Sequence, residues 1–200
     1  VIAGWQQDDG TRLELPVAAV ELLNVLRPAT AVAWFVTFAA LALDDAPGWR
    51  DRLRDGDPDA GSALAHEVRR LYPFAPLLAA RARTAFDWHG QTVPAGRRIV
   101  LDIYGTLHDP SLWPDPDRFD PDRFAGPAGV AAWSDAYIPH GGGDPAAGHR
   151  CPGEAATVAL LEGAARRLAA LRYRVVKRGP VDLARMPPRP ELLITDVQIR

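Results

Sequence analysis

The chain has 200 residues, 48% of them hydrophobic, with 23 lysines and arginines against 25 aspartates and glutamates and a net charge of -2. That length and apolar content suit one soluble globular domain with a sizeable core. The near-neutral balance gives no electrostatic basis for a nucleic-acid partner, and a single cysteine excludes both an internal disulfide and a multi-cysteine metal site.

The chain opens Val1-Ile2-Ala3-Gly4-Trp5, without a methionine and without a basic-then-apolar leader. No secretory signal is expected, the location is read as cytoplasmic, and something is expected to precede Val1. Val17 to Leu43 is helical in pattern and strongly apolar. Its uncharged stretch, Pro28 to Leu43, is shorter than the ~20 residues of a membrane span and reads as a buried core helix. Gly48 to Arg54 reads as a short charged helix and Gly56-Asp57-Pro58 as a loop. A further helix is predicted over Asp59 to Leu71, with Leu64, Val68 and Leu71 as its apolar stripe and Pro73 at its end. Strand character runs from Leu77 to Trp88, turns at His89-Gly90 and resumes at Gln91 to Val93. Pro94-Ala95-Gly96 then turns into a strand over Arg98 to Tyr104. Residues 109–129, crowded with Asp, Pro and Phe, predict a long ordered meander. A helix follows over Gly153 to Leu171, and two strands close the chain at about Tyr173 to Val176 and Glu191 to Gln198. The fold class is mainly α with small peripheral β-sheets.

Four features carry chemistry. Arg27 and Pro28 interrupt the first helical pattern, where a proline costs about 3 kcal/mol and frees the carbonyl of Asn24. The helical neighbours of Arg27 are Leu23, Asn24, Thr30 and Ala31, none acidic. Either the guanidinium needs an anion from elsewhere, which it would grip by a bidentate fork, or the helix ends at Pro28 and Arg27 reaches solvent. Glu67 and Arg70 stand one helical turn apart and can pair. Most such pairs are solvated and worth ~0–1 kcal/mol, but Glu67 lies beside the apolar stripe, where a buried carboxylate needs more than one donor. Arg123, in Pro121-Asp122-Arg123-Phe124, is a second arginine able to meet that need.

The fourth feature is Cys151, in Gly148-His149-Arg150-Cys151-Pro152-Gly153-Glu154, downstream of Gly141-Gly142-Gly143. Pro152 suits a first helical position and Glu154 a first turn. Free amides at such a helix start favour a thiolate, hence a metal ligand or a nucleophile. The bland alternative is a small buried apolar side chain. A cysteine-ligated haem needs one thiolate only.

In this order these residues resemble a cytochrome P-450, specifically its C-terminal half, and the resemblance covers residues 1–200. The family's N-terminal half has no counterpart among them. Glu67-x-x-Arg70 matches the K-helix motif, Arg123 the third member of a structural Glu-Arg-Arg triad, and Cys151 the axial thiolate ligand of the haem iron. Asn24-Val25-Leu26-Arg27-Pro28 looks like the replacement, found in the fatty-acid peroxygenase branch, for the acid-alcohol pair that relays protons to dioxygen. Tyr104-Gly105-Thr106-x-His108-Asp109-Pro110 and Gly141-Gly142-Gly143-Asp144 are similar to that branch too. The general family pattern has an arginine where His149 stands.

The resemblance implies haem b as cofactor. It also implies catalytic roles for Arg27 and Pro28, with a fatty-acid carboxylate held by Arg27 and acting as acid-base group toward hydrogen peroxide. Hydroxylation at the alpha or beta carbon follows, with decarboxylation to a terminal alkene as a related outcome. No reductase, nucleic acid or membrane span is implied. Arg81, with Arg83 as its competitor, and His149 are the expected partners of the haem propionates. A truncated, inactive remnant is the alternative from a different class, and a dioxygen-dependent monooxygenase, for which Arg27-Pro28 offers no proton relay, is a weaker one.

Overall fold

A computed structural model describes residues 4–126, 129–179, 181–188 and 191–199. Its helices are α1 (Leu15–Asp45), α2 (Pro47–Arg54), α3 (Ala60–Leu71), α4 (Ile103–Leu107) and α5 (Glu154–Ala170). Its strands are β1 (Leu77–Arg81), β2 (Phe86–Trp88), β3 (Gln91–Val93), β4 (Arg98–Asp102), β5 (Leu171–Arg178) and β6 (Leu192–Ile199). The strands pair antiparallel as β1–β4, β2–β3 and β5–β6, three two-stranded sheets at the edges of a helical body.

The apolar second half of α1 is buried from Phe38 to Leu43, as its composition predicts. Phe35, Phe38 and Leu43 pack with Leu64 and Val68 of α3 and with Leu161 and Ala165 of α5 to form the main core. The helix runs on through Pro28, so the alternative that it ends there is overturned. Leu15, Val20, Leu23 and Leu26, in its first half, are exposed. Taken over its whole length, α1 is long and apolar enough to cross a membrane by length and composition, with its second half inside this core.

A second core gathers Ile103, Leu107, Trp113, Phe124 and Tyr137 beneath the meander. Trp113 is fully buried, stacks on Trp133 at 4.2 Å and donates its indole N–H to the carbonyl of Thr106 at 3.1 Å. This cluster gives a segment of little periodicity its order, together with 3₁₀ turns at Pro121–Phe124 and Gly129–Ala136.

Four sequence expectations need correction. The strand predicted from Leu77 to Trp88 is two strands, because the β1–β4 ladder ends at Arg81↔Arg98 and Phe86–Trp88 pairs with β3 instead. His89 and Gly90 both take positive φ at that hairpin turn, as a two-residue connection favours. The strand predicted to reach Tyr104 stops at Asp102, whose carboxylate accepts the Gly105 N–H at 2.7 Å and caps α4. Residues at and just beyond the end of the meander, where no helix or strand is predicted, wind into 3₁₀ turns. Pro152 lies in a turn outside the helix: α5 begins at Glu154 with Gly153 as its cap.

Candidate active site

The candidate site is an apolar cavity of about 740 Å³ between α1, the approach to β1, and the loop that carries Cys151. Val32 and Phe35 of α1, Phe74, Leu78 and Ile103 form its apolar wall, and Met186 and Pro187 of the β5–β6 connection close one side. Four polar side chains reach that lining: Arg27, His140, Cys151 and Thr157. The structure thus brings Arg27, Pro28 and Cys151 to one cavity from opposite parts of the chain. Arg27 is exposed at its edge and forms no ion pair among the described residues. Arg27 thus reaches solvent although the helix does not end at Pro28: it sits at the boundary of solvent and cavity, its own carbonyl taking the Thr30 hydroxyl at 2.7 Å.

The cysteine loop is held by its backbone. The Cys151 N–H donates to the carbonyl of His140 at 2.9 Å, and the Glu154 N–H to the carbonyl of Cys151 at 3.2 Å. Gly141 adopts φ +85°, and a Cβ there would lie 2.4 Å from the carbonyl oxygen of His149, so the first of the three glycines is required by close backbone approach. His140, given no role from sequence, is half-buried, lies 5.8 Å from the ring of Phe35, and has a buried Nδ1 without a hydrogen-bond partner. Burial pushes its pKa down to about 3, so it is neutral at physiological pH.

Behind the cavity, α3 carries a network of buried charge. Glu67 and Arg70 are both fully buried and pair bidentately, at 2.7 Å and 2.9 Å. Glu67 also accepts the Asp120 N–H at 2.9 Å, and Arg123 approaches it at 3.7 Å while donating to the Asp115 carbonyl at 2.8 Å. Arg70 donates further to the carbonyls of Leu107 and Arg118. One carboxylate thereby ties the helix to the meander. Burial raises the pKa of Glu67, and its guanidinium partners pull it back.

Arg81, Arg83 and His149 lie outside the cavity lining. Arg81 is exposed on β1 and donates to the Gly96 carbonyl at 3.1 Å, and His149 is exposed on the loop. Sequence reasoning missed His140 and Arg69. A charged residue inside the apolar pattern of α3 was the available signal for Arg69, whereas the placement of His140 depends on contacts distant in sequence.

His66, on α3, has its pKa lowered from 6.5 to about 4, first by burial and then by Arg69. The unfolded chain therefore binds a proton below pH 6.5 that the folded chain refuses until about pH 4, and stability falls as the pH drops through that interval. Glu154, whose pKa is lowered to about 2, contributes stability that is lost only below the usual carboxylate range. His66→Gln keeps an acceptor for Arg69 and removes the titration. It is expected to recover about 2 kcal/mol of the loss between pH 6.5 and 4.5, read as urea midpoints at the two pH values. An unchanged slope would show that His66 titrates normally.

A helical domain that presents one cysteine to an apolar cavity meets the requirement of a cysteine-ligated haem for a single thiolate. The cofactor fits what is present. The wall is apolar, an orphaned imidazole nitrogen lies buried at its edge, and no cluster of three metal-binding side chains occurs among the described residues.

The Cytochrome P450 family profile matches residues 62–161, half of the chain, and the chain belongs to that family. Human cytochrome P450 4A11 is 35% identical over 124 residues, covering 60% of this chain and 22% of that protein. The steroid 17-alpha-hydroxylase/17,20 lyase of Squalus acanthias is 36% identical over 85 residues, covering 41% and 17%. A variant of cytochrome P450 OleT, solved with arachidonic acid, superposes with a TM-score of 0.86 at 36% identity, over 100% of this chain and 47% of that one. Cytochrome P450SP alpha, solved with (R)-ibuprofen, superposes with a TM-score of 0.84 at 43% identity, over 99% and 49%. The chain thus spans about half the length of these solved relatives and about a fifth of the human one. The resemblance read from the motifs, to the C-terminal half of a P450 and to its fatty-acid peroxygenase branch, is borne out over the whole chain, as is the mainly α fold with small sheets.

Proposed function

We propose that residues 1–200 form the C-terminal haem-thiolate portion of a P450 that uses hydrogen peroxide to hydroxylate fatty acids at the alpha or beta carbon, with decarboxylation to terminal alkenes as the related outcome. The observation that carries this reading is the sharing of one apolar cavity by Arg27, a cation without an ion-pair partner among the described residues, and Cys151. An apolar chamber with one fixed cation at its edge suits an amphiphile with an anionic head and an alkyl tail. The solved relatives support it: arachidonic acid and ibuprofen are both carboxylic acids.

Cys151 would hold the iron of haem b, and Arg81 and His149, exposed basic groups on the flanking strand and loop, are assigned to its propionates. Bound haem would supply the cleavage of the peroxide O–O bond, which electron donation from a thiolate favours. The chain's own residues do the rest. Arg27 grips the substrate carboxylate by two parallel hydrogen bonds, and Pro28 fixes the backbone beside it. That carboxylate then serves as the proton carrier for peroxide, so no acid-alcohol pair and no reductase are required. Anchoring the head limits which carbons reach the reacting centre. The Glu67–Arg70–Arg123 triad holds the structure behind the cavity.

The test is an absorption spectrum of the haem-loaded protein, reduced under carbon monoxide, followed by peroxide and a long-chain fatty acid. A thiolate-type ferrous–CO band that Cys151→Ala abolishes, with hydroxy-acid product from peroxide alone, is the expected result. Turnover that needs dioxygen and reducing equivalents would replace this reading with a monooxygenase. A Cys151→Ala protein with an unchanged band would remove the cysteine from the site.

A further inference from the structure

Arg69 lies between Glu67 and Arg70 yet takes no part in their network. At roughly 100° per residue its side chain leaves α3 on another side, is fully buried, and meets both ends of the loop that carries Cys151. At the far end one guanidinium nitrogen forms an ion pair with Glu154, which Arg150 also engages at 2.5 Å. At the near end Arg69 donates to His66 Nδ1 at 3.1 Å and lies 5.5 Å over the ring of Tyr137. Tyr137 in turn donates its hydroxyl to the His66 carbonyl at 3.0 Å. The permanent charge of Arg69 makes His66 Nδ1 the acceptor, which fixes the ring with its proton on Nε2.

We propose that Arg69 is a positioning residue that closes the loop from Tyr137 to Glu154 and so sets where Cys151 stands. The proposal rests on the reading of Cys151 as the haem ligand. A guanidinium is suited to this because its rigid planar fork fixes two donor directions at once, whereas the three donors of an ammonium rotate on a flexible stem. Geometry is the gain: a buried ion pair adds little net stability over apolar side chains of the same volume, whereas it does specify an arrangement. The cost is visible in Arg69 Nε, which is buried without a partner.

Hydrogen exchange on the intact chain without haem tests the clamp, on Arg69→Lys, Glu154→Gln and the double variant Arg69→Met/Glu154→Met. Exchange within 137–154, the Cys151 amide included, is expected to accelerate at least tenfold in all three, while β1, β4 and the buried half of α1 keep their protection. The double variant removes both charges together and is the folded control should a single variant fail to fold. In it the loop amides are expected to stay fast, and after haem loading the thiolate-type ferrous–CO band is expected to be reduced. Restored loop protection in the double variant, or acceleration spread evenly over the chain, would make Arg69 a matter of general stability and overturn the proposal. A Cys151→Ala protein with an unaltered haem spectrum would instead sink the ligand reading, and the exchange result would still judge the clamp.

Discussion

Truncating Glu67 to alanine is expected to lower the stability of the folded chain by about 3–5 kcal/mol, the usual consequence of breaking a buried ion pair from one side. Glu67 has no exposed surface, and it is the shared acceptor of the Arg70 fork and the Asp120 N–H, with Arg123 at 3.7 Å. Alanine leaves Arg70 buried with its charge unmatched and removes the tie of α3 to the Asp120 N–H of the meander. A domain of this size commands about 5–15 kcal/mol in all, so the variant should be largely unfolded in mild urea. Glu67→Gln retains an oxygen for the Asp120 N–H but gives Arg70 no anion, and should fall between the two. The exposed pair Arg54–Asp51, with side chains 38% and 65% accessible, is the control, and Asp51→Ala should change stability by no more than about 0.5 kcal/mol. Urea midpoints by circular dichroism decide the order. An alanine variant as stable as the wild type would mean that water satisfies the triad.

What the sequence discloses is what depends on neighbours along the chain. The apolar run of α1, the stripe of α3 and the long helix α5 are all set by periodicity, and they appear within a few residues of their predicted ends. Glu67 beside Leu64 and Leu71 is enough to predict a buried carboxylate with several donors. Features fixed by partners far away are different. Nothing local shows that Phe86–Trp88 will abandon β1 for β3, since the ladder's end is decided by where the Pro94-Ala95-Gly96 turn starts its partner. Pro152 has the chemistry of a first helical residue, but the Cys151 carbonyl takes the Glu154 N–H and the helix starts two residues later. The cavity is the plainest case. Arg27 and Cys151 meet because α1 and α5 share a core, a fact of packing. Only the resemblance to a family linked them at the level of sequence. His140 escaped for the same reason, its placement being set by Phe35 and by the carbonyl it offers to Cys151.

Replacing Arg27 by alanine should leave haem binding and the thiolate-type band intact and reduce peroxide-driven kcat/KM for a fatty acid by about 10²–10³-fold, roughly 3–4 kcal/mol of transition-state stabilisation. The spectrum is spared because Arg27 is exposed at the cavity edge and ties down no other side chain among the described residues. The rate is not expected to be spared, because in the proposed reading the guanidinium both binds the head group and keeps an ionised carboxylate where a proton must move. Arg27→Lys retains the charge and loses the fork, so an intermediate loss of roughly tenfold is expected. The methyl ester of the same acid supplies the other side of a double-mutant cycle. Without a carboxylate it should be a poor substrate for the wild type and no poorer for Arg27→Ala, so the acid and ester rates converge in the variant. Acid turnover undiminished in Arg27→Ala, or an ester that the wild type oxidises as fast as the acid, would show that the substrate is held by its tail alone. The cation at the cavity edge would then serve the solubility of α1 and not the reaction.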